Sequence, residues 1–324
     1  MEIFAINNSA LEFWRIHRTS QKTRVCRPSC RRPPDESPAS ITLRRGETFG
    51  LTLPLDIMVS TLNARRPSAA VRPHVCLRSL PDGAIVNAGS DLYVSSPEFC
   101  FFQMASEYPL AKLIALGLEL CGSYSLAGYA NAALKKKESE QTMYNLSKLT
   151  NTKKLKVFVA RMTGWPGYSQ ATKALQYIAD NSASPMETIL FLLLTLPYRH
   201  GGYGLPIPEL NGCIYPEKGV KRFSGRRFYR GDLLWRKAGI VAEYNSDLEH
   251  ASPERIARDA IRRSDLLLCG ILEVTVTKKQ IKNEELFEKI ARQIAARTGK
   301  ELRYKEPGFS EARCELRSVL FRVL

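Results

Sequence analysis

Between Arg227 and Tyr244 two β-prone runs flank a short turn, Arg236 to Gly239, and a segment of that kind has few ways to fold other than as a β-hairpin. Residues equidistant from the turn face each other across an antiparallel pair. A turn centred between Lys237 and Ala238 therefore sets Asp232 opposite Glu243, with Cβ atoms roughly 4.5–5.5 Å apart. Two facing carboxylates repel unless a positive charge joins them. The period-two rule adds Arg230 and Asn245 to the same face. Two occupants suit such a place. One is a divalent cation, Mg²⁺ or Mn²⁺, held by Asp232 and Glu243 and able to stabilise phosphoryl charge. The other is Arg230, neutralising a structural acid pair.

The hairpin sits in a longer alternation. Lys153–Met162 and Gln170–Asp180 carry helical periodicity, and Ser184 opens a third helix containing the apolar run Ile189–Leu196. That run is far shorter than the roughly 20 residues a membrane-spanning helix needs, so it reads as a buried helix. Strands are expected at Asn211–Tyr215, Arg227–Trp235 and Gly239–Tyr244. They are followed by a helix capped at Ser252-Pro253-Glu254, a strand Ile271–Thr277 and a final amphipathic helix Asn283–Arg297. The order is that of an α/β domain. Ser184-Pro185-Met186-Glu187 fits a capping box, and Glu187 is equally a candidate third acid for the site.

Upstream, Glu2–Ile6 reads as a strand and Asn8 or Ser9 caps a helix bearing Leu11, Trp14 and Ile16. From Leu51 to Ser96 short β-prone pieces alternate with Pro- and Gly-rich turns, which predicts a small antiparallel sheet. Ser96-Pro97-Glu98 then caps an apolar helix. The polar stretch Gly122–Asn151, with its Lys135–Lys137 run, reads as a connector. The predicted domains are 1–147, mixed α+β, and 148–324.

With 48 Lys and Arg against 32 Asp and Glu, the net charge of +16 points to a polyanionic partner such as nucleic acid. Arg255, Arg258, Arg262 and Arg263 fall on one helix at spacings of three and four, a stripe able to track phosphates or to form a solvated face paired with Asp259. The eight cysteines show no repeated spacing, so free thiols are expected, and Cys26 and Cys30 have no second pair or His to complete a zinc signature. The first residues carry no secretion signal, and a cytoplasmic protein without a membrane partner is expected.

Taken in order, Gly231-Asp232-Leu233, Val241-Ala242-Glu243-Tyr244-Asn245, Arg258-Asp259 on a helix and a Val274-Thr275-Val276-Thr277 strand resemble the PD-(D/E)xK superfamily. Within it the Vsr-like endonuclease domains are the nearest likeness. The resemblance covers a little over a third of the chain. It implies a restriction-endonuclease-like fold, Asp232 and Glu243 as metal-binding acids, Glu187 as the acid of the preceding helix, and hydrolysis of DNA phosphodiesters. It also sets the arginine helix beside the site, and Arg230 and Arg258 are expected to steady phosphate. No lysine stands two residues after Glu243, Asn245-Ser246 replaces the Asp-Gly of the closer group, and His250 lies one residue further on than its counterpart. The rival expectation is therefore a non-catalytic nucleic-acid-binding regulator. Ser79–Ala84 followed by Leu92–Glu98 is similar to the middle segment of AbiEi-type abortive-infection antitoxin regulators, which implies a toxin as partner.

Overall fold

The structure is a computed structural model that describes residues 2–19, 27–29, 31–35, 50–89, 91–126, 142–216, 226–245, 252–303 and 306–324, with Thr19, Arg27 and Arg255 described by backbone alone. His250, Cys26 and Cys30 lie outside these residues. The chain divides into two compact units, Met1–Ile178 and Ala179–Leu324. Both are mixtures of helix and strand, and each has its own sheet. Among the described residues no helix is long and apolar enough to cross a membrane.

In the first unit β1 (Ile3–Ala5), β2 (Arg27–Ser29), β3 (Leu55–Val59), β4 (Val71–Val75), β5 (Ile85–Gly89) and β6 (Leu92–Ser95) form one sheet in the order β2-β5-β6-β1-β3-β4. The expected antiparallel sheet is corrected to a mixed one: β1 runs parallel to β6, and β3 parallel to β4. The reason for the first pairing lies at the N-terminus. β1 inserts between β6 and β3, so the later strands do not close as a simple meander. Helices α1 (Asn7–Thr19), α2 (Pro97–Met104), α3 (Leu110–Leu120), α4 (Thr152–Ala160) and α5 (Tyr168–Ala174) complete this unit. Ser96 caps α2 by accepting the Phe99 N–H, as its sequence suggests.

The division falls at Ile178/Ala179 rather than near Lys148. Residues 148–178 belong to the first unit because α4 and α5 bury Leu155, Phe158 and Ala171 against its other helices. The rings of Phe158 and Phe99 lie 5.8 Å apart.

The second unit begins with α6 (Pro185–Thr195), capped by Ser184 and buried along its apolar run. There follow β7 (Glu209–Ile214), β8 (Tyr229–Trp235), β9 (Ile240–Tyr244), α7 (Pro253–Leu268) and β10 (Leu272–Val276). The sheet order is β10-β9-β8-β7, antiparallel throughout except that β10 lies parallel to β9. A short helix α8 (Lys278–Lys282), then α9 (Glu284–Thr298) and α10 (Phe309–Val323), close the chain. The helices expected from the sequence end at α9. α10 forms because Phe309, Leu316 and Leu320 recur on one side and are buried.

Candidate acid site on the second sheet

The turn arithmetic holds. β8 and β9 pair Trp235 with Ile240, Leu234 with Val241 and Leu233 with Ala242, and the next step in that register is Asp232 with Glu243. At that step the ladder gives way. The Tyr244 N–H donates to Oδ2 of Asp232 at 2.8 Å, so a side-chain carboxylate takes the place of a backbone acceptor. The glycine before the acid has a steric cause: a Cβ on Gly231 would lie 2.5 Å from Cγ2 of Val241.

Two acids face this step, and a third, Glu187, feels the charge of Asp232. Asp232 and Glu243 feel one another's charge, and both titrate above their ordinary range, first because burial disfavours the charged form. For Glu243 the neighbouring Asp232 adds to the rise. The Arg262 guanidinium opposes it in both. Glu187, from the first turn of α6, is raised to about 7 by burial and then by the nearby Asp232. Its Oε2 accepts from the Ala183 N–H at 3.0 Å and from Nδ2 of Asn211 on β7 at 2.7 Å. Ser184 caps the helix as expected, accepting the Glu187 N–H at 3.1 Å, but Glu187 returns to the Ala183 N–H instead of the cap residue's own. Glu187 is thus helix cap and site neighbour at once.

The cation beside the pair is Arg262 of α7. Its Nη2 bonds both Oε1 of Glu243 and, at 2.9 Å, the Arg230 carbonyl oxygen. Its Nε lies 3.2 Å from Oε2 of Glu273 on β10, a charge contact without aligned hydrogen-bond geometry. Its guanidinium carbon also stands 5.6 Å from the centre of the Tyr229 ring. Arg263 meets the other oxygen of Glu273 at 3.4 Å.

The remaining expected residues fall around this set. The Arg230 side chain is exposed, as is that of Arg258, whose Nε donates to the Glu254 carbonyl at 3.3 Å. Asn245 leaves β9 with its N–H on the Val276 carbonyl at 2.9 Å. Within the expected stripe Arg258 and Arg263 are exposed and Arg262 is half-buried. Arg262 turns toward the sheet, while the opposite side of α7 exposes Ile256, Ile261, Leu267 and Leu268. Asn211 and Glu273 were not singled out from the sequence. The Glu alternating into Leu272-Glu273-Val274 was the available signal for Glu273, but only the parallel pairing of β10 brings it to Arg262.

Chemically, Glu187, Asp232, Glu243 and Glu273 outnumber the arginines paired with them, and Glu187, Asp232 and Glu243 titrate above their ordinary range. Among the described residues no three His, Cys, Asp or Glu side chains gather as a metal cage. Asp232 and Glu243 do fit a hard cation that takes two protein carboxylates and completes its shell with water and phosphate.

No family model matches the chain, and no solved structure matches it. Two relatives do, the Mycobacterium tuberculosis proteins MT2308 (strain CDC 1551 / Oshkosh) and Rv2248 (strain ATCC 25618 / H37Rv), both described as uncharacterized. Each is 30% identical over 138 residues, 42% of this chain and 46% of the relative, so the match spans about half the length of these relatives.

Proposed function

We propose that the second unit is a metal-dependent nuclease domain acting on DNA phosphodiesters, with Asp232 and Glu243 as the protein ligands of Mg²⁺ or Mn²⁺. The observation that carries this reading is the β8/β9 register, whose next step sets Asp232 against Glu243 at the ladder's end, where the Tyr244 N–H bonds the Asp232 carboxylate. The order helix, three antiparallel strands, helix, parallel strand also supports a restriction-endonuclease-like core. A bound ion supplies Lewis-acid stabilisation of phosphoryl charge. The chain's own residues do the rest. Glu187, titrating near 7, exchanges a proton close to neutral pH, and Asn211 holds its orientation. The exposed Arg230 and Arg258 steady phosphate, and the +16 balance draws the polyanion in.

A second reading is favoured by one specific contact. Arg262 already occupies an oxygen of Glu243, which suits a non-catalytic DNA-binding regulator of the antitoxin type with a toxin as its partner. Incubating plasmid and single-stranded DNA with Mg²⁺ or Mn²⁺, using wild type and Asp232→Ala plus Glu243→Ala, separates the two. Metal-dependent cleavage lost in the double variant supports the nuclease. Salt-sensitive binding without cleavage in either protein supports the regulator, and cleavage that persists in the double variant refutes the site assignment.

A further inference from the structure

The first unit contains a cavity of about 390 Å³, within the range of roughly 300–1,000 Å³ typical of small-molecule sites. Its floor is apolar: Met58, Phe99 and Phe102 line it and are almost fully buried. One wall is the half-buried Trp165. The Arg78 guanidinium stands 5.3 Å from the indole centre, and its Nη1 is fixed by the Gly164 carbonyl at 2.8 Å. A flat π-surface and a cation are therefore held together at the rim.

The polar side of the cavity is set by two residues whose other contacts fix their roles. Nε2 of His74 lies 2.8 Å from Oδ1 of the buried Asp56. The neutral tautomer that donates Nε2–H to that carboxylate carries its acceptor at Nδ1. Oε1 of Gln103 accepts the Asn7 N–H at 3.3 Å, which leaves its amide nitrogen as the donor. Neither His74 Nδ1 nor Gln103 Nε2 has a partner among the described residues. The cavity thus offers one acceptor and one donor between an apolar floor and an aromatic wall.

We propose that this cavity binds a nucleobase, carried either by a free nucleotide or by a single nucleic-acid strand. Every base presents a π-face for the side of Trp165 that Arg78 does not cover and adjacent donors and acceptors on its edge, and the Arg78 cation at the rim suits the attached phosphate. The site is independent of the acid pair, because it is built from first-unit residues and is read by binding rather than by cleavage.

Calorimetric titration of the full chain in EDTA tests it with three probes: 5′-AMP, a short single-stranded DNA oligonucleotide, and the same oligonucleotide with abasic positions. A free-nucleotide site saturates with 5′-AMP. A strand site binds the intact oligonucleotide more tightly than the abasic one. In either case Trp165→Ala and Gln103→Ala each weaken binding roughly tenfold or more, while Trp165→Phe, which keeps a stacking face, retains most of it. Two results would overturn the proposal. One is no 5′-AMP binding at millimolar concentration together with equal affinity for both oligonucleotides. The other is base-dependent binding that survives both alanine variants.

Discussion

Replacing Glu187 with glutamine should make the second unit more stable at alkaline pH, the reverse of what removing a buried, hydrogen-bonded acid normally does. The folded protein holds the Glu187 proton up to about pH 7, whereas the unfolded chain releases it near 4.5. A group raised in this way contributes stability that is full below about pH 4.5 and is lost as pH rises through 7, because the unfolded state then binds fewer protons than the native one. The rise corresponds to on the order of 3 kcal/mol, an upper figure because Asp232 relaxes with its neighbour. The substituted amide keeps an oxygen for the Ala183 N–H and the Asn211 amide and turns a neutral NH₂ toward Asp232. Glu187→Gln should therefore match wild type at pH 5 and exceed it by about 2–3 kcal/mol at pH 8 in EDTA. Native-state amide exchange in α6, corrected for the intrinsic pH dependence of exchange, reads this locally. A variant less stable than wild type at pH 8, or with the same slope from pH 5 to 8, would refute the assignment of the raised acid to Glu187.

Four further outcomes are expected. Arg262→Met leaves Glu243 buried without its cation and Glu273 with Arg263 alone, and should cost on the order of 3 kcal/mol at pH 8, less at pH 5 where Glu243 holds its proton, in urea melts of the chain. Tyr229→Phe removes a 2.7 Å hydroxyl bond to the buried Asp265 and should lower stability by about 1–3 kcal/mol, read from the urea midpoint. Gly231→Ala drives a methyl into Val241 and should cost about 1–3 kcal/mol, whereas Gly270→Ala meets no neighbour but strains a backbone at φ +68°; thermal melts compare the two. Adding Mg²⁺ or Mn²⁺ at pH 7.5 should raise the melting temperature in a concentration-dependent way and release protons, and both effects should vanish in Asp232→Asn.

What the sequence discloses here is what local geometry decides. The pairing of Asp232 with Glu243 follows from a three-residue 3₁₀ turn, Arg236–Ala238, and the glycine after it, all within the hairpin itself. The place of Glu273 depends instead on which strand β10 joins after a sixteen-residue helix, and alternation within Leu272–Val276 does not name a partner. The same limit applies upstream. The short strands of the first sheet are legible as strands, yet the insertion of Ile3–Ala5 between Leu92–Ser95 and Leu55–Val59 is a long-range choice that turn residues do not encode. Helices α4 and α5 show their apolar faces in sequence, but not that those faces pack against Phe99 and its neighbours rather than the later sheet. Arg262 shares its spacing with three other arginines, and only the position of the acids selects it to turn inward.

That selection reverses the usual polarity of a helix laid on a sheet. α7 sends Arg262 and Asp265 inward beside Leu266 and Cys269, and leaves Ile256, Ile261, Leu267 and Leu268 between 47% and 68% exposed. Stability alone does not account for the arrangement. Desolvating a guanidinium and several carboxyls costs several kcal/mol per ion, and an apolar set of similar volume is often neutral or stabilising in its place. Two of the charged groups have dedicated supports: Tyr229 for Asp265, and the Arg230 carbonyl for Arg262. Asn211 does the same for Glu187. Neutral hydrogen-bonding groups that orient buried charge fix geometry more than they add stability, and fixed geometry around an excess of carboxyls is what the cation site proposed above requires.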